Sequence, residues 1–302
     1  MSKKLKYFLL HAAIVVSLPG FAQQDPIYAQ YINNPLTINP AFAGSNNMFN
    51  ASLQYRMQWA GIEANPTTVN FSSHIAVAQN KVGLGMMVLQ DKLGDVKNTE
   101  FNTIYSYKLN LKNSTFSFGL QTGFIRYTSD PSLLTIRDAG DPNFNGLTET
   151  KFNTGFGVML KSDRYIIGLS VPRMLPATIS QGGATINLYQ QNYYLFGSYV
   201  LFLSPDIRFK PSSLIRYTAG LPVSVDLNAS FNFKELYTAG LFTRNFSAYG
   251  LMMQAIIKNF RLGYVIEVPG NSTSSLNFVS QEFSIGVSMG VMGSHDSVIK
   301  TF

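Results

Sequence analysis

From residue 50 onward, apolar and polar residues alternate one for one, the period of a β-strand with two unlike faces. The cleanest case is 223–233, where Val223, Val225, Leu227, Ala229, Phe231 and Phe233 share one face and Ser224, Asp226, Asn228, Ser230 and Asn232 the other. Phe116, Phe118, Leu120 and Phe124 stand in the same way against Ser117, Gly119, Gln121 and Gly123. Near the end Phe283, Ile285, Val287, Met289 and Val291 oppose Ser284, Gly286, Ser288 and Gly290. Read through to the end, the pattern predicts fourteen strands, centred near Leu53, Phe71, Met86, Ile104, Leu120, Val158, Leu169, Phe196, Ile215, Leu227, Leu241, Met253, Tyr264 and Val287.

The polar face of these strands is mostly Ser, Asn, Gln and Gly. The solvent face of a soluble sandwich normally carries many charges. If the apolar face meets lipid instead, the small polar face lines a narrow lumen. The predicted fold is therefore all-β, a transmembrane antiparallel β-barrel of about fourteen strands. The connections agree. Outer-membrane barrels have short periplasmic turns and longer outer loops, and with the N-terminus inside, every second connection is short: Gln79-Asn80, Lys112-Asn113, Ser162-Asp163, Ser204-Pro205, Lys234-Glu235 and Lys258-Asn259. The long ones, 128–150, 172–188 and 269–280, fall on the outer side, with a low rim expected at 220–222 and 244–246. Tyr105, Tyr107, Tyr127, Tyr193, Tyr194, Tyr237 and Tyr249 lie near strand ends, where interfacial aromatic girdles sit.

Composition sharpens this picture. Only 13% of residues are charged, about half the usual share, and aromatics also reach 13%. With no Cys, disulfides and thiolate chemistry are excluded, and 3 His, one of them His11, make a histidine metal cluster implausible. Residues 1–22 read as an export signal: Lys3, Lys4 and Lys6, an apolar stretch over 7–18, then Gly20 and Ala22 before a cut at Gln23. That stretch is shorter than the roughly 20 residues of a membrane span, and later apolar runs are of strand length. An exported membrane chain without spanning helices has to be a closed barrel. The net charge is +7, of which the three signal lysines account for almost half. The remaining Lys and Arg are scattered, without a basic face for nucleic acid.

Between signal and first strand, residues 25–47 are dense in Pro, Asn and Gly. We read 23–48 as a plug-like lead-in, 49–292 as the barrel and 293–302 as a tail. Arg56 and Gln58 alternate with Tyr55, Met57 and Trp59; if the latter face lipid, the former point into the lumen. There they would pair with Asp25 or with backbone carbonyls of the lead-in and pin it as a plug. Trp59, the single Trp, is placed to anchor at the membrane interface.

Catalytic chemistry finds no foothold. Asp141, Asn143, Asn145 and Gly146 match the first half of a calcium loop, but the twelfth position holds Phe152 instead of a bidentate Glu, so the loop reads as an Asn/Gly turn. Gly83-Leu84-Gly85 lies inside an alternating strand, where glycine permits bending and close packing. Asp91 and Asp95 flank a turn containing Gly94 and read as turn formers. His74 and His295 have no catalytic motif around them.

The chain resembles the PorP/SprF family of outer-membrane proteins of the type IX secretion and gliding machinery. The resemblance is carried by Asp25-Pro26, Gln30-Tyr31, Asn34-Pro35, Asn39-Pro40-Ala41, Ala43-Gly44, Tyr55-Arg56, Gln58-Trp59 and Pro66. Further matches are Gly83-Leu84-Gly85, Asp91, Gly94, Tyr105-Ser106-Tyr107, Phe118-Gly119 and Asp141-Pro142. It implies an integral outer-membrane barrel with an N-terminal hatch, no catalysis and no cofactor. Its implied partners are a secreted cargo protein with a C-terminal secretion domain, periplasmic and outer-membrane parts of the machinery, and membrane lipid. The expected function is anchoring or helping deliver cargo, such as adhesins, at the cell surface. The alternative is a channel or transporter for small or hydrophobic solutes.

Overall fold

The structure, a computed structural model, describes residues 29–130, 146–181, 184–270 and 278–295. Its strands are β1 (Phe49–Met57), β2 (Thr67–Val77), β3 (Val82–Leu93), β4 (Val96–Asn110), β5 (Thr115–Ser129), β6 (Leu147–Lys161), β7 (Tyr165–Val171), β8 (Ala177–Gln181), β9 (Ala184–Tyr189), β10 (Asn192–Tyr199), β11 (Leu201–Phe202), β12 (Ile207–Thr218), β13 (Ser224–Phe233), β14 (Tyr237–Arg244), β15 (Ala248–Ile257), β16 (Phe260–Pro269) and β17 (Ser280–Met289). Barrel strands pair antiparallel with their neighbours along the chain, β7 taking β10 across the separate β8–β9 pair. The sheet closes where β1 takes β17 as its second partner, Phe49 opposite Met289. It also closes across β10, between β7 and β12. Because β11 only continues β10 past Val200, the result is a closed antiparallel barrel of 14 strands. Each predicted strand centre falls inside one of them.

Alternation sets the wall. Leu53, Phe71, Phe124, Leu169, Leu227, Leu241 and Ile285 are exposed on the outside, while Asn50, Gln54, Ser106, Gln121, Asn228, Ser230 and Ser288 are buried inside. A slip of one residue would turn Asp226 or Glu282 to lipid and Leu227 or Phe283 to the lumen, so the register is strongly specified. Tyr105, Tyr107, Tyr193, Tyr237 and Tyr249 face outward as expected. Tyr127 and Tyr194 do not: Tyr127 is buried on the inward face of β5, and Tyr194 packs against the lumenal core. Strand parity, which nearness to a strand end does not reveal, decides this.

The barrel stands taller on one side. Strands β4, β5 and β6 have 15 residues each, whereas β14 has 8 and β13, β15 and β16 have 10. The low rim therefore lies where the short outer connections placed it. The connection expected as an outer loop over 172–188 contains instead a two-stranded hairpin, β8–β9. At the opposite end Ala78, Gln79 and Asn80, and Lys234 and Glu235, take left-handed backbone in the tight turns. Beyond β17 the chain folds back on β2 and the turn after it: Asn80 bonds the Ser294 carbonyl, and His295 Nε2 lies 2.7 Å from the Ala76 carbonyl.

Candidate functional site: the plugged lumen

The segment 29–48 lies inside the barrel as a chain of short turns. Pro35 and Pro40 each open a 3-10 turn, Pro35–Thr37 and Pro40–Phe42, at the helical position where a missing N–H costs nothing. Asn39 caps the second, accepting from the Ala41 amide at 2.9 Å. The same side chain reaches the wall, its Nδ2 donating to the carbonyls of Val158 (3.0 Å) and Leu169 (3.3 Å) on β6 and β7. The repeated Asn-Pro motif therefore shapes the segment and also bonds it to the barrel.

Inward-facing glycines make room for it. A Cβ on Gly119 would overlap the Ala41 amide, one on Gly83 the Ala43 carbonyl, and one on Gly157 the Asn39 side chain. Beside this patch the wall donates to the segment's carbonyls: Ser170 to Ile38 (2.6 Å), Ser106 to Ala43 (2.7 Å), Lys108 to Gly44 (2.6 Å) and Lys161 to Ser45 (3.1 Å). The Gly44 amide donates to His74 Nδ1 at 3.0 Å, and Asn34 to Ser72 Oγ at 2.8 Å. His74 is thus a plug ligand. Each such bond contributes about 0.5–1.5 kcal/mol net.

The segment also supplies a small apolar core. Ala29, Tyr31, Ile32, Leu36, Ile38, Ala41, Phe42 and Ala43 pack with Met87, Ile104, Met159, Ile166, Phe196, Leu214, Phe242, Met252 and Val265 of the wall. Tyr31 and Phe42 both meet Phe196 edge-on, at 6.1 and 6.2 Å between ring centres. The lumen wall is therefore less uniformly polar than its sequence suggested. Burial pushes the Tyr31 phenol up, with Asp226 adding to the effect, so it stays neutral.

Toward the outer end lies a buried charge network. Arg56 Nε is 3.3 Å from Glu282 Oε1 and Arg56 Nη2 3.8 Å from Glu267. Arg244 reaches Glu267 (3.3 Å) and Asp226 (3.2 Å). Glu282 also accepts the Ala29 amide at 3.0 Å. Arg56 points into the lumen as its alternation implied, and Glu282 joins it to the segment. A second ion pair, Arg173 with Glu100 at 2.6 Å, ties down the chain leaving β7. Arg173 also lies over the Tyr189 ring at 4.3 Å, and Gln121 holds the Pro172 carbonyl at 2.8 Å. With Ile125, Ala177, Leu188 and Tyr189 packed together, the β8–β9 hairpin sits against the inner wall of the tall side. Toward the end of the tight turns, beneath the segment, a cavity of about 170 Å3 remains.

The family-motif positions fall into groups. Tyr31, Asn39, Pro40, Ala41 and Gly44 build the plug, and Arg56 belongs to its charge network. Gln58 and Trp59 continue the chain beyond β1: the Gln58 amide donates to the Pro66 carbonyl at 2.9 Å, and Trp59 is exposed with φ 55°. Asp91 accepts from Thr68 at 2.5 Å, and Gly94 takes φ 59° in the β3–β4 turn. Asp95 accepts from Ser129 at 2.9 Å, a turn-forming role. Asp25, Pro26 and Asp141, and with Asp141 the calcium-like loop, lie outside the described residues, as does the side chain of Gln30. Glu100, Asp226, Glu267 and Glu282 were not singled out from sequence, although three of them were visible as charges on the small-residue face of an alternating strand.

The PorP_SprF family model, described as type IX secretion system membrane protein PorP/SprF, matches residues 20–287. No curated protein matches the sequence significantly. Among solved structures, a CymD monoaromatic hydrocarbon channel superposes with a TM-score of 0.55 at 12% identity, covering 91% of this chain and 96% of that one. A Pseudomonas aeruginosa FadL homologue gives 0.50 at 9% identity, covering 88% and 95%. At such identities these likenesses establish the shared barrel fold alone. Barrel and family together place the protein in the outer membrane, in association with the secretion machinery. The chain belongs to the PorP/SprF family of non-enzymatic type IX secretion system membrane proteins.

Proposed function

We propose that this barrel anchors, or helps deliver, a secreted cargo protein at the cell surface, engaging the cargo through its C-terminal secretion domain. The supporting observation is the occupied lumen. A segment packed on a glycine patch, hydrogen-bonded to the wall beside it and joined to a buried charge network, suits a scaffold better than a conduit for cargo. The outer connections on the tall side would meet cargo, and the tight turns at the other end would meet periplasmic parts of the machinery. Residues 1–22 are, in this reading, a cleaved export signal, so the mature chain should begin at Gln23 in N-terminal sequencing.

The test is a pull-down of the tagged barrel from outer membranes in mild detergent, read by mass spectrometry. Recovery of a large secreted protein, lost when its C-terminal domain is deleted, is expected. A barrel recovered without such cargo would count against anchoring. The second reading, a hydrophobic-solute channel, draws on the fold shared with a hydrocarbon channel and on the apolar residues lining the lumen. It predicts solute uptake by the intact protein in liposomes.

A further inference from the structure

Strand β6 is longer than the neighbour that closes the wall beside it. Its 15 residues pair with β5 along their whole length, from Leu147 opposite Ser129 to Lys161 opposite Thr115, without a bulge. On the other side β7 covers it only from Phe156 to Lys161. The chain leaving β7 is then drawn inward. Arg173 pairs with Glu100, Gln121 holds the Pro172 carbonyl, and Asn153 Nδ2 donates to the Leu175 carbonyl at 3.0 Å. The Met174 amide donates to the Thr154 carbonyl at 2.8 Å. Above that bond no described residue pairs with this side of β6, because the β8–β9 hairpin packs against the inner wall instead of extending it.

The alternation of the ladder fixes which backbone groups stay open. The N–H and C=O of one strand residue point to the same side, and those of the next residue to the other. The Ser162 amide donates to the Tyr165 carbonyl in the β6–β7 turn, and Thr154 accepts from Met174. Even-numbered residues of β6 therefore point away from β5. Thr148, Thr150 and Phe152 present their N–H and C=O groups on the uncovered edge. Open edges are normally blunted by proline or a bulge, and 147–152 carries neither.

A membrane strand needs about 9–11 residues. Counted up from Lys161, that length ends near Phe152, so the open edge stands at the outer interface and above it. The neighbouring side chains state what fits there. Phe101, Phe124 and Phe152 stand opposite one another on β4, β5 and β6, exposed in an outward row. Phe124 and Phe152 meet edge-on at 5.7 Å between ring centres. The row stops at the open edge, where an apolar side chain on an added strand continues it. On the other face Glu149 and Lys151 pair at 2.9 Å and remain partly exposed. An added strand complements them with a cation opposite Glu149 and an anion opposite Lys151.

We propose that the edge 148–152 is a strand-addition site at the cell surface. Its occupant is an extended segment of a partner protein, with alternating faces, which pairs with Thr148, Thr150 and Phe152 through main-chain hydrogen bonds. The site stands or falls apart from the cargo reading.

The full chain in detergent micelles is titrated with a fluorescent peptide read by anisotropy. Its core, phenylalanine, glutamate, threonine, lysine and valine in that order, matches Phe152 back to Thr148 in antiparallel pairing; the reversed core serves parallel pairing. Saturable binding of one of them is expected, and it should slow hydrogen exchange at Thr148, Thr150 and Phe152. Methylating the peptide's bonding amides should weaken binding about tenfold or more, as lost main-chain bonds do. Thr150→Pro should do the same, since it removes an edge N–H and no bond to β5. Lys151→Glu should shift preference to a peptide with lysine in place of glutamate, and Phe71→Leu, on β2, should change nothing. Heat-shifted electrophoretic mobility verifies that each variant is folded. No saturable binding, equal binding of the methylated peptide, or equal affinity in the folded edge variants would overturn the site. Slow exchange at the three edge amides without peptide would show the edge already paired and overturn it too. A dimer of the peptide-free chain in sedimentation, lost in Thr150→Pro, would assign the edge to a second copy and overturn the partner.

Discussion

Gly119 and Asn39 show how closely the wall and the plug are fitted. A side chain at Gly119 meets the Ala41 backbone, which has no flexible end to move aside. Gly119→Val should therefore displace the plug, costing about 1–3 kcal/mol as overpacking does. Limited proteolysis should then cut within 29–48, while Gly197→Ala, where a Cβ meets nothing within 4 Å, leaves the pattern unchanged. Asn39→Ala removes two bonds to strand carbonyls and one cap, leaving buried acceptors unpaired at about 1–3 kcal/mol. The same proteolysis should expose the plug in this variant, and its protection would refute the docking role of Asn39.

At the scale of elements, the charge network couples β1, β13, β14, β16 and β17 to the start of the plug. Arg56 is 5% and Glu282 3% exposed, so a single truncation strands a buried charge. Arg56→Met should lower barrel stability by about 3–5 kcal/mol, and the double change with Glu282→Met by much less than twice that. Midpoints of the heat-induced mobility shift on gels measure both; additive losses would rule out the coupling. On the other face, Leu241 is 65% exposed in the middle of β14. Leu241→Arg should cost about 2–4 kcal/mol if it meets the bilayer centre. An unchanged yield in a liposome insertion assay would show that this face does not meet lipid.

For the whole molecule, the plug is both stopper and core. Deleting residues 29–47 removes the partners of Phe196, Met87, Ile104 and Val265 and leaves an apolar lining facing water. The truncated barrel should lose stability and gain conductance in planar bilayers, whereas the intact chain stays closed. Equal conductance with and without the segment would mean that it does not block the lumen.

Much of this was legible in the order of residues, because a strand with unlike faces writes its environment at every second position. Alternation placed the strands, their parity sent Arg56 inward, and dipeptides such as Lys234-Glu235 marked the tight turns. The closed fourteen-strand wall and its lipid-facing surface followed from local pattern alone. What the pattern could not carry were contacts between residues far apart in sequence. That Gly119 leaves room for Ala41, that Glu282 accepts the Ala29 amide and that Arg173 meets Glu100 depend on how the barrel closes and where the segments fold into it. Nor did period two distinguish a lumen filled with water from one filled with chain: Phe196 and Phe242 face inward because the plug is there to cover them. The same closure brings Lys161, Arg208, Lys210 and Arg261 from three strands, β6, β12 and β16, to one recess. Their spacing along the chain gave no sign of it, since only the curvature of the wall makes them neighbours.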